Sequence, residues 1–151
     1  AKATRDQLEA LSKQDLAAYD AAMMPARQMI SMALDLLNGE ILRSSGDLTG
    51  AIIDFQSAAT TEKALPYIEP PYWHQPVAHI LGAALLQAKR APAAEAVYRE
   101  SLKSYRRDGW ALFGLAQALE AQGKKAEAQD VRKQFDVVWK FADVQLTSSR
   151  F

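Results

Sequence analysis

The chain has 151 residues, of which 49% are apolar, and this is enough for one domain with its own hydrophobic core. Its 18 basic and 18 acidic residues cancel, which argues against a protein that tracks nucleic-acid phosphates. The absence of cysteine excludes disulfides, thiolate nucleophiles and cysteine-ligated zinc. Alanine occurs 28 times, against 17 valine, isoleucine and threonine residues together, and this bias predicts an all-α fold.

The sequence contains no stretch of about 20 apolar residues that could span a bilayer, so we expect no transmembrane helix. No basic-then-apolar signal peptide opens the chain, which begins with Ala1 rather than Met. Whether the chain is complete or a part trimmed or excised from a longer protein therefore stays open. The lack of cysteine fits either side of a membrane, so a soluble protein of the cytoplasm or the periplasm is expected.

Residues 1–24 are predicted to form one extra helix, running from about Arg5 to Met23, that packs on the rest of the chain. Residues 25–63 are predicted to form a first pair of helices. The first helix of this pair follows Pro25 and is broken at Gly46, because glycine adopts the left-handed conformation without penalty. Asp47 then caps the second helix.

Residues 64–75 are predicted to form a stiff loop, because four of the six prolines of the chain lie between Pro66 and Pro76. Two interpretations are open for this loop. Its side chains cover the end of a helix pair, or they contact a ligand, as irregular loops on a rigid scaffold often do. The residues that would contact a ligand are Tyr67, Glu69, Trp73 and His74.

Residues 76–107 are predicted to form a second helix pair. Its first helix runs from about Pro76 to Ala88, and Pro92 lies in the first turn of its second helix, where proline is tolerated.

Residues 108–142 are predicted to form a third helix pair, and residues 143–151 a tail. Asp108 caps a helix from Trp110 to Gln122, Gly123 ends that helix, and the second helix runs from about Lys125 to Phe141.

The three helix pairs are related by an internal repeat. The pattern Leu81-Gly82-x-x-Leu85 recurs one helix pair later as Leu115-Ala116-x-x-Leu119. An upstream copy, lengthened by an insertion, includes Gly39, Leu42, Gly46, Ala51, Phe55 and Ala58. A pair of helices cannot cover its own apolar face, so neighbouring copies are expected to stack.

The repeat length, the small residue on each first helix and the alanine on each second helix resemble the tetratricopeptide repeat (TPR), over roughly residues 32–141. The stretch of residues 69–116 also resembles the C-terminal part of longer bacterial TPR proteins. The resemblance implies a right-handed superhelix of antiparallel helix pairs, with three repeats and an N-terminal helix. It also implies a concave groove that binds a peptide or helix of a partner protein.

The TPR convention places groove residues on the first helix of each repeat. The groove positions most suited to contact a partner are Leu36, Glu40, Arg43, His79, Leu86, Trp110, Phe113 and Gln117. For Trp110 and Phe113, packing between repeats is an equally good interpretation. Chaperone-binding TPR domains use cations and amides to hold a terminal carboxylate, and the corresponding positions here carry none: Leu36, Glu40, Ile80, Trp110 and Gly114.

Two other functions compete with the interaction scaffold. The chain could close a longer helical array or form a homodimer, because Phe135, Val138 and Trp139 form an apolar stripe that needs cover. Glu69, His74 and His79 could hold a metal ion, although the two histidines lack the i, i+4 spacing of a helical zinc site. No catalytic motif is present, so we expect no enzyme, no cofactor and no nucleic-acid partner.

Overall fold

The computed structural model describes residues 2–150, apart from the side chain of Asp20. Within this range the chain forms eight α-helices and no β-strand, which confirms the all-α prediction. The chain divides into two compact units, residues 1–77 (unit 1) and 78–151 (unit 2). The helices are α1 (Lys2–Ser12), α2 (Ala17–Ala21), α3 (Ala26–Ser44), α4 (Leu48–Ala64), α5 (Val77–Gln87), α6 (Ala91–Ser104), α7 (Gly109–Ala121) and α8 (Lys125–Trp139).

The N-terminal region differs from the prediction, because α1 and α2 replace the single helix expected from Arg5 to Met23. The Asp15 side chain accepts a hydrogen bond from the Ala17 backbone N–H at 3.0 Å. An aspartate in this position favours the start of a new helix over continuation of the old one. Met23 adopts a left-handed conformation, with φ of 56°, and separates α2 from α3.

The same turn joins the two helices of each predicted pair. In each turn one residue is left-handed, with φ of 93° at Gly46, 57° at Lys89 and 75° at Gly123. The next N–H reaches back to a leucine carbonyl on the preceding helix, in the bonds Asp47 to Leu42 (2.9 Å), Arg90 to Leu85 (2.8 Å) and Lys124 to Leu119 (3.0 Å). This is the Schellman arrangement, and it occurs at equivalent positions of the three sequence copies.

The predicted helix starts are confirmed where the chain has a carboxylate or a proline. Asp47 caps α4 through the Gly50 N–H at 2.8 Å. Asp108 caps α7 through the N–H groups of Trp110 and Ala111. Pro92 lies in the first turn of α6, where its missing N–H is not needed.

Glycines allow an aromatic ring to lie against the first helix in two of the pairs. The Phe55 ring contacts Gly39, and the Tyr98 ring contacts Gly82, so the glycine and the ring are equally spaced in both copies. A Cβ atom at either glycine would overlap the ring. Phe55 and Tyr98 are both fully buried, so each forms the centre of its unit's core.

The segment between α4 and α5 is free of helix and strand, as the prolines predicted. Its Glu69–Pro70 peptide bond is cis. The Glu62 carboxylate accepts the Val77 N–H at 3.1 Å, and the Tyr72 hydroxyl donates to the Met23 carbonyl at 3.3 Å. Among residues 2–150, no helix combines the length and apolar character needed to cross a bilayer.

Candidate functional site

Residues 143–150, which we call the return segment, turn back after α8 and lie against α5, α6 and α7 of unit 2. The segment contains neither helix nor strand. The Trp139 indole N–H donates to the Val144 carbonyl at 2.7 Å and fixes the turn after α8. The Gln117 side-chain amide donates to the Thr147 carbonyl at 3.3 Å, which places the segment on α7.

Ser149 anchors the return segment and is only 1% exposed. Its hydroxyl donates to the His79 backbone carbonyl at 2.9 Å. Its oxygen also lies 2.5 Å from the Tyr98 hydroxyl. Since a serine hydroxyl has a single proton, which goes to the carbonyl, the Tyr98 hydroxyl donates and Ser149 accepts. We call His79, Tyr98 and Gln117 the segment site.

Tyr98 reaches the segment site from α6 because two glycines make room for its ring. Gly82 on α5 and Gly114 on α7 both lie against that ring, and a Cβ at either position would overlap it. Burial raises the pKa of Tyr98, and the hydrogen bond with Ser149 opposes this effect. The phenol therefore keeps its proton and acts as a donor at the base of the site.

His79 is held by Asp108 as well as by the return segment. Its Nε2 lies 2.5 Å from Asp108 Oδ2, while Asp108 Oδ1 caps α7. The imidazole ring stacks on Trp110 with a centroid distance of 6.4 Å. One carboxylate thus ties α5 to the start of α7 and fixes the backbone carbonyl that Ser149 contacts.

Ser149, His79 and Asp108 have the residue types of a hydrolase triad but not its geometry. Ser149 contacts the His79 backbone carbonyl, whereas the ring Nε2 faces Asp108. A catalytic serine needs a ring nitrogen as its base and an exposed oxygen, and Ser149 is buried. These contacts orient a peptide segment and do not activate a nucleophile.

Trp110 and Phe113 form a packed aromatic cluster with α8. The Phe113 ring lies 5.4 Å from that of Phe135, and the Trp110 ring lies 5.6 Å from that of Trp139. The Arg132 guanidinium lies over Phe113 at 4.9 Å from the ring centre. Phe113 is buried and Trp110 is half-buried, so packing within unit 2 accounts for most of the Phe113 surface.

The remaining predicted groove residues differ in exposure. In unit 1, Leu36 is buried, and the carboxylate of Glu40 accepts from the Arg43 guanidinium at 2.9 Å. In unit 2, Leu86 and Gln117 are half-buried, so each leaves surface that a ligand can contact.

The predicted loop residues make mostly local contacts. Tyr67 is 87% exposed, and its hydroxyl donates to Glu69 at 2.5 Å. The rings of Trp73 and His74 lie 5.9 Å apart. No group of three or more His, Asp and Glu side chains in the described part of the chain is arranged to hold a metal ion. Glu69 and His79 have other partners, so the geometry gives the metal hypothesis no support.

A polar network on Glu95 joins α6 to the turn between α7 and α8. Glu95 accepts from Lys124 (2.7 Å), Gln122 (2.7 Å) and Arg99 (2.8 Å). The hydrogen bond from Lys124, with those from Arg99 and Gln122, outweighs the effect of burial and lowers the pKa of Glu95 to about 2. This network stabilises the helix pairs of unit 2.

Sequence reasoning missed Tyr98 and Ser149 as site residues and missed the second role of Asp108. One signal for Tyr98 was available in the repeat. Phe55 occupies the equivalent core position in the first copy, so the phenol of Tyr98 adds a polar atom that needs a partner. Ser149 is far from Tyr98 in the sequence and carries no local signal.

Comparisons with protein-family models, curated proteins and solved structures find no match for this chain.

Proposed function

We propose that the chain is a protein-interaction scaffold of the TPR type, with three helix pairs in a right-handed superhelix. Two observations support this fold. The same Schellman turn occurs at Gly46, Lys89 and Gly123, and the same contact between a glycine and a ring occurs in two pairs. The N-terminal helix α1 packs against α3 of the first pair. In such an array the first helix of each pair faces the groove.

The observation that carries the proposal is the seating of the return segment on unit 2. The segment is bound through the Thr147 carbonyl and the Ser149 side chain. A surface that holds an irregular segment by backbone and small-side-chain contacts has the chemistry of a peptide-binding groove. It is pre-formed by packed helices, so a ligand meets little ordering cost there.

Within this surface the residues divide into two roles. Gln117, Leu86 and Trp110 retain exposed area and would contact a partner directly. His79 and Phe113 are buried and hold the groove wall in place. The half-exposed side chains mix apolar and polar groups, which favours a peptide or helix of mixed character. In unit 1 the proposed partner contacts are Glu40 and Arg43, whereas Leu36 is buried and, like Phe113, holds the groove wall in place.

Site-specific photo-crosslinking tests the scaffold. A photoreactive amino acid replaces Leu86 on α5, which is half-buried and lies outside the segment site, and the matched control replaces Gln134, an exposed residue on α8. In cells of the source organism, Leu86 should yield a discrete crosslinked protein that Gln134 does not. Equal products from both positions, or none from Leu86, would contradict a partner groove on this face.

A second function is favoured by the exposed apolar side chains at the end of α8 and just beyond. Val137 is 61% exposed, Phe141 89% and Val144 54%. Exposed apolar side chains of this kind suit self-association or contact with the next helix pair of a longer array. Sedimentation over a hundredfold concentration range tests the first of these, with Phe141→Asp as the control. A monomer at every concentration would exclude the dimer.

A further inference from the structure

We propose that the segment site selects a serine-containing segment of a partner, and that the return segment is an internal competitor that occupies the site until it is displaced. This inference rests on the proposed function and specifies its ligand. It comes from the polar groups that surround Ser149 and from the way in which the return segment is attached.

The site demands a side chain that is small and that both donates and accepts. It offers one acceptor, the His79 carbonyl, and one donor, the Tyr98 hydroxyl. Serine satisfies both at once. Alanine would satisfy neither group, aspartate lacks the donor, and a longer side chain does not fit a position at which serine is 1% exposed.

A second contact sets the register of the bound segment but does not select the side chain at that position. The Gln117 amide binds the carbonyl of Thr147, which lies shortly before the anchor, and the Thr147 side chain itself is exposed. A partner segment would therefore need a serine, with any residue that presents its carbonyl two positions earlier. This is a short motif whose specificity lies in one hydroxyl.

The return segment has an advantage over any partner because it is tethered. Only a few residues separate its first contact, Val144, from Trp139 on α8. A short tether raises the local concentration of the segment to about the millimolar range. A partner binds only those chains in which the return segment has left the site. Its apparent affinity is therefore its intrinsic affinity multiplied by the fraction of chains that are open.

A peptide-exchange experiment on the full chain tests the proposal. Ser149→Glu places a charge between the Tyr98 hydroxyl and the His79 carbonyl and should expel the return segment. The probe is a fluorescein-labelled peptide of residues 143–151, followed by fluorescence polarisation. The Ser149→Glu chain should bind this peptide at least tenfold more tightly than the original chain does.

Two peptides and one further variant complete the test. Peptides carrying Ser149→Ala or Ser149→Glu should bind the Ser149→Glu chain at least about tenfold more weakly. The Ser149→Ala chain should also bind the original peptide more tightly than the original chain does. Because this variant adds no charge, it keeps the proposal testable even if the Ser149→Glu chain misfolds. Circular dichroism checks both variants for intact helices.

Equal binding of the Ser149 and Ser149→Ala peptides would overturn the serine selectivity. Equal binding by the original chain and both of its Ser149 variants would overturn the internal competition. A dimer in which two copies exchange return segments would also overturn the internal competition, because the ligand of the site would then be a second copy of this chain. The crosslinking result at Leu86, which lies outside the segment site, is independent of these measurements, so failure of the scaffold and failure of the serine motif are distinguishable.

Discussion

Phe55 in unit 1 and Tyr98 in unit 2 occupy the same place in the repeated helix pair, but only one of them carries a hydroxyl. Each ring lies on a glycine of the preceding helix and is fully buried. The Phe55 ring has no polar atom and needs no hydrogen-bond partner, whereas the buried Tyr98 hydroxyl requires one and has it in Ser149. A single oxygen in an otherwise repeated core therefore marks where unit 2 holds the return segment.

The largest expected effect comes from the glycines that both rings require. Gly39→Ala and Gly82→Ala should each lower the free energy of unfolding by about 2–3 kcal/mol, because the new Cβ overlaps a buried ring. In an unconstrained helix the same change stabilises by about 1 kcal/mol. Urea unfolding gives the values, and Tyr98→Leu in the Gly82→Ala chain should recover part of the loss. A neutral Gly82→Ala would contradict the ring placement.

The two capping aspartates sharpen the comparison between the units. Asp47→Ala removes a helix cap and a charge near Asp54, and should cost about 1 kcal/mol. Asp108→Ala removes a cap and also the partner of buried His79, so we expect about 3 kcal/mol. Urea unfolding of both variants at pH 7 measures the difference. Equal losses would show that the bond between His79 and Asp108 contributes nothing.

The carboxylates of Glu95 and Asp54 should respond to pH in opposite ways. Hydrogen bonds from Lys124, Arg99 and Gln122 lower the pKa of Glu95 from 4.5 to about 2, so the unfolded chain binds its proton first. The stability that Glu95 contributes is present above pH 4.5 and is lost as pH falls towards 2. Burial, then the charges of Asp35 and Asp47, raise the pKa of Asp54, so its contribution falls as pH rises.

Urea unfolding at pH 7 and pH 3 measures both effects. Glu95→Gln should cost about 1 kcal/mol at pH 7 and less at pH 3. Asp54→Asn should stabilise the protein at pH 7 by a few tenths of a kcal/mol, because it removes a charge held near two others. A Glu95→Gln deficit that stays constant between the two pH values would rule out the Glu95 network.

An effect smaller than those of the glycines and of Asp108 concerns the one turn of the three that lacks glycine. Lys89 adopts φ of 57° where the other copies have Gly46 and Gly123. Lys89→Gly should raise the free energy of unfolding by about 0.5–1 kcal/mol by relieving this strain. Thermal unfolding is sensitive enough to detect it. The matched variant Lys89→Ala keeps a Cβ and should show no gain; a gain as large as that of glycine would contradict the strain argument.

The sequence predicted the features that local chemistry determines. Glycine in a left-handed turn, aspartate at a helix start and proline in a first turn each act over a few residues, and Gly46, Gly123, Asp47, Asp108 and Pro92 lie as predicted. The break between α1 and α2 was missed because the Asp15 cap competes with an otherwise continuous helical pattern.

The segment site could not be predicted in the same way. Its contacts join residues that are far apart in the sequence, such as Gln117 with Thr147 and His79 with Ser149. Residues 143–150 have no periodic pattern, so their placement depends on the polar groups that α5, α6 and α7 present to them. Only the assembled helices define those groups.

The distance between α7 and the return segment tests the central claim most directly. The chain has no cysteine, so Ala121→Cys and Thr147→Cys accept two spin labels at exposed positions without competing thiols. Ala121 lies one turn beyond Gln117 on α7. Dipolar spectroscopy should give one narrow, short distance, which becomes long and broad when Ser149→Glu is added. A broad distribution that is the same with and without Ser149→Glu would contradict the account.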